Sequence, residues 1–197
     1  MRYDDNHKKR THEKIVQEAA KAIRQKGPAE IGIAGLMSRL GLTHGGFYAH
    51  FKSKDRLVSE AIIYMFEERF DALRCYSDCP DPAEGLSGYI DIYLSTKHRD
   101  RRDLGCPIVA LGGDVSRMPK AARQHFEKGI LGVTDFLAGM LKALNKAQPT
   151  QLAASVLAEM VGAMVMARAV SDTGLSDQIL ENCRHNVRAR IGLSAPS

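Results

Sequence analysis

Apolar residues recur at helical spacing through most of the chain, and this periodicity constrains the fold more than any other feature of the sequence. Two stripes near the N-terminus show the spacing most clearly: Ile15, Ala19, Ala22 and Ile23, then Ile33, Leu36, Met37 and Leu40. Residues three or four positions apart lie on one face of an α-helix. No comparable alternation of apolar and polar residues, which is typical of a half-buried strand, is found in the sequence. With 44% hydrophobic residues, enough to close a core, the chain is predicted to be all-α.

Helix caps and breakers divide the N-terminal part of the chain. The predicted helices run from about Thr11, as a cap, to Gln25, then up to Leu40, from Thr43 to Ala49, and from Ser53 toward Cys75. Gly27 and Pro28 end the first helix, and a tight turn at Gly41 ends the second. Thr43 and Ser53 carry side-chain oxygens that accept hydrogen bonds from exposed backbone N–H groups, so each is placed to cap the helix that follows.

The dipeptides Cys79-Pro80 and Asp81-Pro82 mark the clearest break in the chain. Beyond it, helices are predicted over five segments: Ala83–Lys97, Pro107–Ser116, Pro119–Leu144, Gln151–Val170 and Ser176–Ile191. The fourth of these helices is rich in Ala, Gly and Met, and small residues permit a close approach of helices. Its composition suits a subunit interface and a helix buried within its own domain about equally.

Positive charge is concentrated in the N-terminal third. Residues 1–60 hold 12 Lys and Arg against 7 Asp and Glu, which leaves 16 against 16 for the remainder, out of totals of 28 and 23. This asymmetry favours a polyanion such as DNA as the partner of the first part, although a solvated basic surface has the same charge balance. The neutral remainder is suited to binding a small molecule or another subunit.

The first 30 residues are charged throughout and lack the apolar run of a secretory signal, so the protein is expected to be cytoplasmic. Its longest apolar stretches, residues 104–113 and 160–167, are shorter than the roughly 20 residues that cross a bilayer, and no membrane span is expected. The chain has four cysteines: Cys75, Cys79, Cys106 and Cys183. Their spacing is not that of a zinc site, and a reducing compartment disfavours disulfides. Free thiols are therefore predicted, with no metal and no cofactor.

Residues 42–57 read Leu-Thr-His-Gly-Gly-Phe-Tyr-Ala-His-Phe-Lys-Ser-Lys-Asp-Arg-Leu. Within them, the pattern Tyr-x-His-Phe-x-Ser-Lys-x-x-Leu begins at Tyr48 and ends at Leu57. This string strongly resembles the recognition helix and following turn of the TetR family of bacterial regulators. The resemblance is tight over residues 8–66 and looser beyond, where residues 105–107 (Gly-Cys-Pro) look like a subset of the family.

The resemblance implies a two-part architecture. Residues 8–68 would form the DNA-binding domain, with its helix-turn-helix at about residues 31–50, and residues 69–197 a helical domain for effector binding and dimerisation. The implied protein is a sequence-specific transcriptional regulator, by default a repressor. It binds a palindromic operator in double-stranded DNA as a homodimer, and a small-molecule effector releases it.

The side chains at the N-terminal end of a helix in the major groove reach base edges. Tyr48, one turn further along, is placed to contact a phosphate, and Lys54 adds charge to the N-terminus of the next helix, which forms a phosphate clamp. The basic segment His7–Arg10 is either a DNA-contacting arm or a disordered, solvated tail. The predicted DNA-binding residues are Lys9, Arg10, Thr11, Thr43, His44, Gly45, Tyr48, His50 and Lys54.

Several residues depart from the usual family pattern or carry an ambiguous role. Gly32 stands where a Ser or Thr cap is typical, and Gly35 lies inside the second helix. Gly45 and Gly46 weaken the recognition helix by roughly 0.5 to 1 kcal/mol each relative to alanine, so this helix is expected to become more ordered on DNA. His50 follows the recognition segment directly and is interpreted slightly more readily as a packed residue than as a base reader.

Aromatic and Met residues at helical spacing in the second domain either line an apolar effector cavity or form plain core. The candidate effector-binding residues are Phe66, Phe70, Tyr89, Tyr93, Cys106, Phe126 and Met164. Cys106 lies between helix-disrupting Gly105 and Pro107, in a position that favours an accessible thiol. His98 and the neighbouring arginines Arg101 and Arg102 would favour its thiolate.

Cys106 therefore allows two hypotheses besides an inert thiol: a sensor of electrophiles or oxidants, or the nucleophile of a small thiol-dependent enzyme acting on electrophiles. The enzyme alternative requires a base near the thiol, for which His98 or His125 is the candidate. A nucleoid or architectural protein is a third alternative, and the neutral second half argues against it. A DNA-binding regulator without enzymatic activity explains the most residues.

Overall fold

The structure, a computed structural model, describes residues 2–193, in which nine α-helices and no strand occur. The helices are α1 (Arg2–Lys26), α2 (Ile33–Arg39), α3 (Lys54–Ser77), α4 (Pro82–Tyr93), α5 (Thr96–Asp100), α6 (Pro107–Leu111), α7 (Lys120–Ala143), α8 (Pro149–Ala169) and α9 (Thr173–Ile191). Three short 3-10 helices lie at Gly45–Ala49, Arg102–Leu104 and Val115–Arg117. The all-α prediction is confirmed.

The first helix is longer than predicted. Helix α1 begins at Arg2, and Thr11 lies inside it, where its hydroxyl donates to the His7 carbonyl at 3.0 Å. The prediction that Thr11 caps this helix is wrong, as is the disordered-tail alternative for His7–Arg10. Residues 2–10 contain neither proline nor glycine, so no helix-breaking residue lies between Arg2 and the predicted start at Thr11.

The N-terminal core forms where α1, α2, the Gly45–Ala49 turn and the start of α3 meet. Its fully buried side chains come from each of these elements: Ile15, Ala19, Ile23, Leu36, Met37, Phe47, Phe51, Leu57 and Ile62. Helix α3 begins as predicted, since the Ser53 hydroxyl accepts the Arg56 N–H at 3.1 Å. The same helix runs on for 24 residues and packs against α1, α4 and α7, so it belongs to both halves of the molecule.

Caps and glycines shorten the helices predicted after α3. The Asp81 carboxylate accepts the Ala83 N–H at 2.8 Å and starts α4. The predicted Ala83–Lys97 helix is two helices, because the Ser95 hydroxyl accepts the His98 N–H at 3.1 Å and caps α5 separately. Helix α6 stops at Leu111 instead of Ser116, before two consecutive glycines.

Helices α7, α8 and α9 form a three-helix layer, with α8 in contact with both of the others. By length and composition, α8 alone among the helices of residues 2–193 could cross a membrane, which corrects the expectation that every apolar stretch is too short. Seven of its residues are buried in the core: Ala153, Val156, Leu157, Met160, Ala163, Met164 and Ala167. This burial gives α8 the character of a core helix.

Two side chains, His98 and Arg168, hold α5 and the segment that follows it. The His98 ring bonds two backbone groups: Nδ1 donates to the Tyr93 carbonyl at 2.7 Å, and Nε2 accepts the Cys106 N–H at 3.0 Å. Arg168 of α8 donates to the carbonyls of His98 and Arg99 at 2.8 and 3.1 Å. A single neutral tautomer of His98 satisfies both of its bonds, and burial lowers the pKa of His98 to about 4.

We predict that His98 makes the stability of the protein depend on pH. Because the pKa of His98 is depressed to about 4 in the folded chain, its ring takes up a proton more readily in the unfolded chain, and stability falls as the pH drops from 6.5 toward 4. The loss should approach about 2 to 3 kcal/mol. Urea denaturation at pH 7 and pH 5 measures it.

The variant His98→Asn should be less stable than wild type at pH 7 and should lose this part of the pH dependence. The matched control is His185→Asn, which alters an exposed histidine on α9 and should leave both quantities unchanged. An unaltered pH profile in His98→Asn would contradict the assignment.

Candidate DNA-contacting surface and effector region

The turn after α2 depends on Gly41, whose φ of +70° lies in the left-handed region that favours glycine. The N–H groups of Gly41 and Leu42 donate to the Ser38 and Met37 carbonyls, which closes the end of α2. Gly32 occupies the N-cap position of helix α2 and provides no side-chain cap, as expected from the missing Ser or Thr. The geometry of a helix-turn-helix is therefore present over the predicted segment.

The recognition segment is a 3-10 helix over Gly45–Ala49 instead of an α-helix. The N-cap position of this helix is His44, which makes no side-chain cap bond, but the Thr43 hydroxyl one residue earlier accepts the Gly46 N–H at 3.2 Å. Two glycines in this short segment raise the entropic cost of helix formation. This cost explains why the segment forms a 3-10 helix instead of a regular α-helix.

Two aromatic residues lock the recognition segment onto the N-terminal core. Phe47 and Phe51 are 0% and 1% exposed, and their rings stack with centroids 5.4 Å apart. The His12 ring of α1 stacks on Phe51 at 4.4 Å. His12 Nε2 is 2.6 Å from Glu60 Oε2 of α3, so this contact ties α1 to α3 beneath the recognition segment.

The opposite face of the segment is open. Tyr48 is 62% exposed, and the Thr43, His44 and Gly45 side of the segment is exposed with it. The His44 ring meets the Tyr48 ring edge-on at 6.0 Å. The side chains predicted to read bases and contact phosphate therefore share one solvent-facing surface, while the two phenylalanines point inward as predicted.

His50 is half-buried beside the His12 and Phe51 rings, at 6.0 and 6.4 Å. Its Nδ1 is buried without a hydrogen-bond partner among the described residues. Burial, together with His12 and Lys8, lowers the pKa of His50. A neutral, packed ring agrees with the interpretation of His50 as a packing residue and supplies no positive charge to a phosphate.

Basic side chains flank the open face. Lys9 and Arg10 are exposed on the N-terminal turns of α1, with Thr11 half-buried behind them, and Lys8 lies near His50. Lys54 opens α3, but its ammonium donates to the Ala29 carbonyl at 2.9 Å, in the loop between α1 and α2. Lys54 thus has a structural contact in addition to the predicted role at the helix N-terminus.

In the second domain, three of the candidate effector residues form one apolar group. The Phe66 ring packs against Phe70 at 6.2 Å and edge-on against Phe126 at 5.6 Å. Gly129 and Gly132 of α7 admit these rings, since a Cβ at either position would overlap the Phe66 or the Phe70 ring. A side chain larger than glycine would push α3 and α7 apart.

A second group joins Tyr89, Tyr93 and Cys106 to Arg69 of α3. The Arg69 guanidinium lies 5.4 Å from the centroids of both tyrosine rings, and its Nη2 is 3.4 Å from the Tyr89 hydroxyl. Burial raises the pKa of both tyrosines. Met164, the remaining candidate, is fully buried on the core face of α8.

The structure corrects two expectations about Cys106. Cys106 is 1% exposed, so its thiol is not accessible to solvent. Pro107 starts α6, and this turn of the chain places Cys106 in the core. His98 is no cationic activator, since it is neutral and both ring nitrogens bond backbone groups. Arg101 pairs with Asp103 at 3.1 Å, and the arginines that act on Cys106 electrostatically are Arg69 and Arg168.

Two important residues, Arg24 and Arg69, escaped the sequence analysis. Arg24 of α1 is 5% exposed and bonds Glu68 of α3 at 2.7 Å and the Asp103 carbonyl at 3.2 Å. Each arginine falls at a position where its helix turns a polar side chain toward other elements of the fold. In the sequence, a buried arginine of this kind shows only as a polar residue that interrupts an apolar stripe. Many arginines exposed to solvent interrupt such a stripe in the same way.

The comparisons with known proteins agree with this geometry. Residues 15–61 match the family model described as "Bacterial regulatory proteins, tetR family". No protein with a curated function matches the sequence.

Solved structures share the fold over nearly the whole chain. The reduced form of NemR from E. coli is 22% identical, covers 94% of this chain and 99% of its own, and superposes with a TM-score of 0.81. A TetR transcriptional regulator from Chloroflexus aurantiacus is 21% identical, with coverages of 95% and 96% and a TM-score of 0.81. A TetR-family regulator from Cytophaga hutchinsonii is 22% identical, with coverages of 97% and 98% and a TM-score of 0.79.

The family match covers the second half of α1, all of α2, the recognition segment with its open face and the first turns of α3, and the structural likeness covers nearly the whole chain. Residues 15–61 therefore carry the DNA-binding domain of the TetR-type bacterial regulators, and the chain as a whole has the fold of a TetR-type DNA-binding transcriptional regulator.

Proposed function

We propose that this regulator is a homodimeric repressor that binds a palindromic operator and is released from it by a small-molecule effector. The observation that carries the proposal is the two-sided recognition segment. Its inner face is fixed by buried Phe47 and Phe51, while the side chains of His44 and Tyr48 are exposed to solvent on the outer face. A segment with one anchored face and one open face is suited to enter the major groove.

Contacts to DNA divide into base reading and phosphate positioning. Thr43, His44 and Gly45 lie at the end of the segment that meets base edges, and the Tyr48 hydroxyl reaches the backbone. Lys9 and Arg10 extend the surface along exposed turns of α1. Because phosphate contacts carry no sequence information, specificity rests on Thr43 and His44.

Dimerisation is proposed through α8 and α9. Besides its buried face, α8 leaves a stripe of small and apolar residues partly or fully exposed at helical spacing: Ala154, Ala158, Val161, Gly162, Val165, Met166 and Ala169. On α9, Leu175 is 47% exposed. A second copy of the chain, related by a two-fold axis, covers such a stripe with an identical one and forms a four-helix interface.

Effector binding reaches the DNA-binding domain by two routes. Helix α3 carries Lys54 at its start and Phe66 and Phe70 further along, so a ligand that displaces the aromatic group shifts the same helix. The second route is Arg24, which joins α1 to Glu68 and to the Asp103 carbonyl, three residues before Cys106. A tenfold loss of DNA affinity requires about 1.4 kcal/mol of coupling between the two sites.

Cys106 is proposed as a second input to the same switch. NemR, a protein of similar fold, is described in its reduced form, which names a redox state of that protein. In this chain, modification of a thiol that is 1% exposed enlarges a buried residue and displaces the segment that Arg24 holds. The enzyme alternative gains nothing from the geometry, because His98 has no free ring nitrogen to act as a base.

We propose a cytoplasmic location and no membrane association, as the function of a DNA-binding regulator requires. The apolar composition of α8 is accounted for by its core face and the proposed dimer face.

The DNA surface is tested by Tyr48→Phe and Lys54→Ala. Tyr48→Phe should weaken binding to the DNA upstream of the gene by roughly threefold to tenfold, since one hydrogen bond per site is removed. Lys54→Ala should also reduce the slope of log affinity against log salt, by about 0.9 for each phosphate that is no longer neutralised. Fluorescence anisotropy at several salt concentrations measures both effects.

The control for charge is Lys97→Ala, which removes an exposed lysine on α5 and should change neither quantity. Because Lys54 also bonds Ala29, the melting temperature of Lys54→Ala is compared with wild type. If a folded Lys54→Ala binds with wild-type affinity and slope, Lys54 does not contact DNA.

The dimer is tested by Val165→Glu, which places charge on the exposed face of α8, where the residue is 45% exposed. Light scattering should show monomers, while circular dichroism should show an intact fold. Ala163 is unsuitable for this test because it is 3% exposed inside its own chain. The matched control is Leu131→Glu on α7, which is 55% exposed and should remain dimeric. A dimeric Val165→Glu would place the interface elsewhere.

The thiol input is tested by treating the protein with N-ethylmaleimide, which alkylates single thiols by addition, before measuring operator binding. Wild type should lose affinity, and Cys106→Ser should retain it. Cys75→Ser is the necessary control, because Cys75 is exposed and reacts sooner than buried Cys106. If Cys75→Ser abolishes the response and Cys106→Ser does not, the sensor role belongs to Cys75.

A further inference from the structure

Arg69 differs from the other largely buried arginines of the second domain in the groups that compensate it. Arg188 of α9 pairs with Asp91 at 2.9 Å. Arg168 donates to the carbonyls of His98 and Arg99. Arg69 forms no salt bridge with a described residue, and its single hydrogen bond, to Tyr89, is long at 3.4 Å. Its Nε is buried without a partner among the described residues.

A guanidinium stays protonated at every pH at which the protein is folded, so Arg69 cannot escape the cost of burial by losing its proton. Stacking between two aromatic rings offsets part of that cost. Two of the groups that act on it electrostatically, Tyr89 and Tyr93, are neutral at pH 7, because burial raises the pKa of both phenols. The cation therefore lacks a counter-ion from the described residues.

A second unsatisfied donor lies in the same cluster. Tyr93 is 1% exposed, and its hydroxyl is buried without a hydrogen-bond partner among the described residues. The Cys106 thiol is near enough to act on this phenol but is a weak hydrogen-bonding group. The cluster thus offers guanidinium N–H groups and phenol hydroxyls in excess of its acceptors.

Aromatic surfaces surround these donors. The Tyr89 ring meets Tyr76 at 5.7 Å and Phe136 at 5.4 Å, both edge-on. An excess of donors around one positive charge, framed by aromatic rings, matches an anion with a planar or elongated apolar body. A carboxylate accepts from a guanidinium through two parallel hydrogen bonds.

We infer that Arg69, Tyr89 and Tyr93 form a recognition site for small organic carboxylates with an apolar body. Arg69 binds the carboxylate, the Tyr93 hydroxyl donates to it, and the aromatic rings cover the body of the ligand. The inference names the ligand class of the effector site and so rests on the proposed function. It also gives a reason for a largely covered guanidinium with no carboxylate partner among the described residues, since the ligand supplies the missing counter-ion.

The test compares carboxylates with their neutral amides on the full-length protein without DNA. The probes are benzoate against benzamide and hexanoate against hexanamide, with the melting temperature as readout. In wild type, at least one carboxylate should raise the melting temperature more than its amide does. The affinity of that carboxylate, measured by calorimetry, should fall about tenfold or more in Arg69→Met, because a charge-assisted hydrogen bond is removed. If neither carboxylate exceeds its amide, or if Arg69→Met keeps the difference, the inference is wrong.

The control Arg74→Met removes an exposed arginine from the same helix, where it pairs with Asp71, and should bind the carboxylate as wild type does. Arg69→Met has a further expected effect without ligand: it should raise the melting temperature of the free protein, since an uncompensated buried charge is replaced by an apolar side chain.

The competing explanation is that the Cys106 thiolate is the counter-ion of Arg69. In that case Arg69→Met would lower the melting temperature and slow the alkylation of Cys106 by iodoacetamide, measured in a Cys75→Ser, Cys79→Ser background. That pair of results would overturn the inference.

Operator binding is measured separately. A carboxylate that binds through Arg69 but leaves DNA affinity unchanged would support the site and contradict effector release. Release of DNA by a carboxylate in both wild type and Arg69→Met would support effector release and contradict the site.

Discussion

The ion pair between buried Arg24 and Glu68 sets the relation between the two halves of the molecule. Arg24 belongs to the first helix of the DNA-binding domain, yet its guanidinium bonds a carboxylate and a carbonyl of α3 and the carbonyl of Asp103 in the segment before α6. A buried cation left without its partner costs about 3 to 5 kcal/mol. Helix α1 and the segment that leads to Cys106 are therefore expected to move together. Moving one without the other would break the contacts of Arg24 and cost considerable free energy.

The recognition segment is built on the opposite principle. Apart from the Phe47 and Phe51 rings, little holds it: its helix is a 3-10 turn, two of its residues are glycines, and its outer face is open to solvent. Elements that adapt to a partner are drawn from the least stable part of a fold. A firmly fixed frame that carries a loosely wound reading segment allows base contacts to form without disturbing the frame.

Sequence predicted the elements whose causes are local. The Ser53 cap, the Thr43 hydrogen bond, the Gly41 turn and the inward Phe47 and Phe51 all depend on residues within a few positions. Predictions failed where the packing of separate elements against one another decides. Cys106 is buried because Pro107 starts a helix that packs into the core, and His98 is neutral because backbone groups ten or fewer positions away occupy both its nitrogens while burial disfavours its charge. The counter-ions of the buried arginines were invisible, since Arg24 and Glu68 are 44 residues apart.

Arg24 and Arg69 show how one residue type is held in two different ways where α1 and α3 meet the rest of the fold. Arg24 has a carboxylate partner and joins two separate parts of the chain, because it bonds both Glu68 of α3 and the Asp103 carbonyl. Arg69 lies on the same helix as Glu68, one position further along, and is left with aromatic faces and a long hydrogen bond. A counter-ion that reached Arg69 would strengthen contacts at the position next to the Arg24 pair. On α3, Arg69, which lacks a counter-ion, lies next to Glu68, which pairs with Arg24. The proposed ligand site would therefore be coupled to the frame of the DNA-binding domain through a single turn of helix.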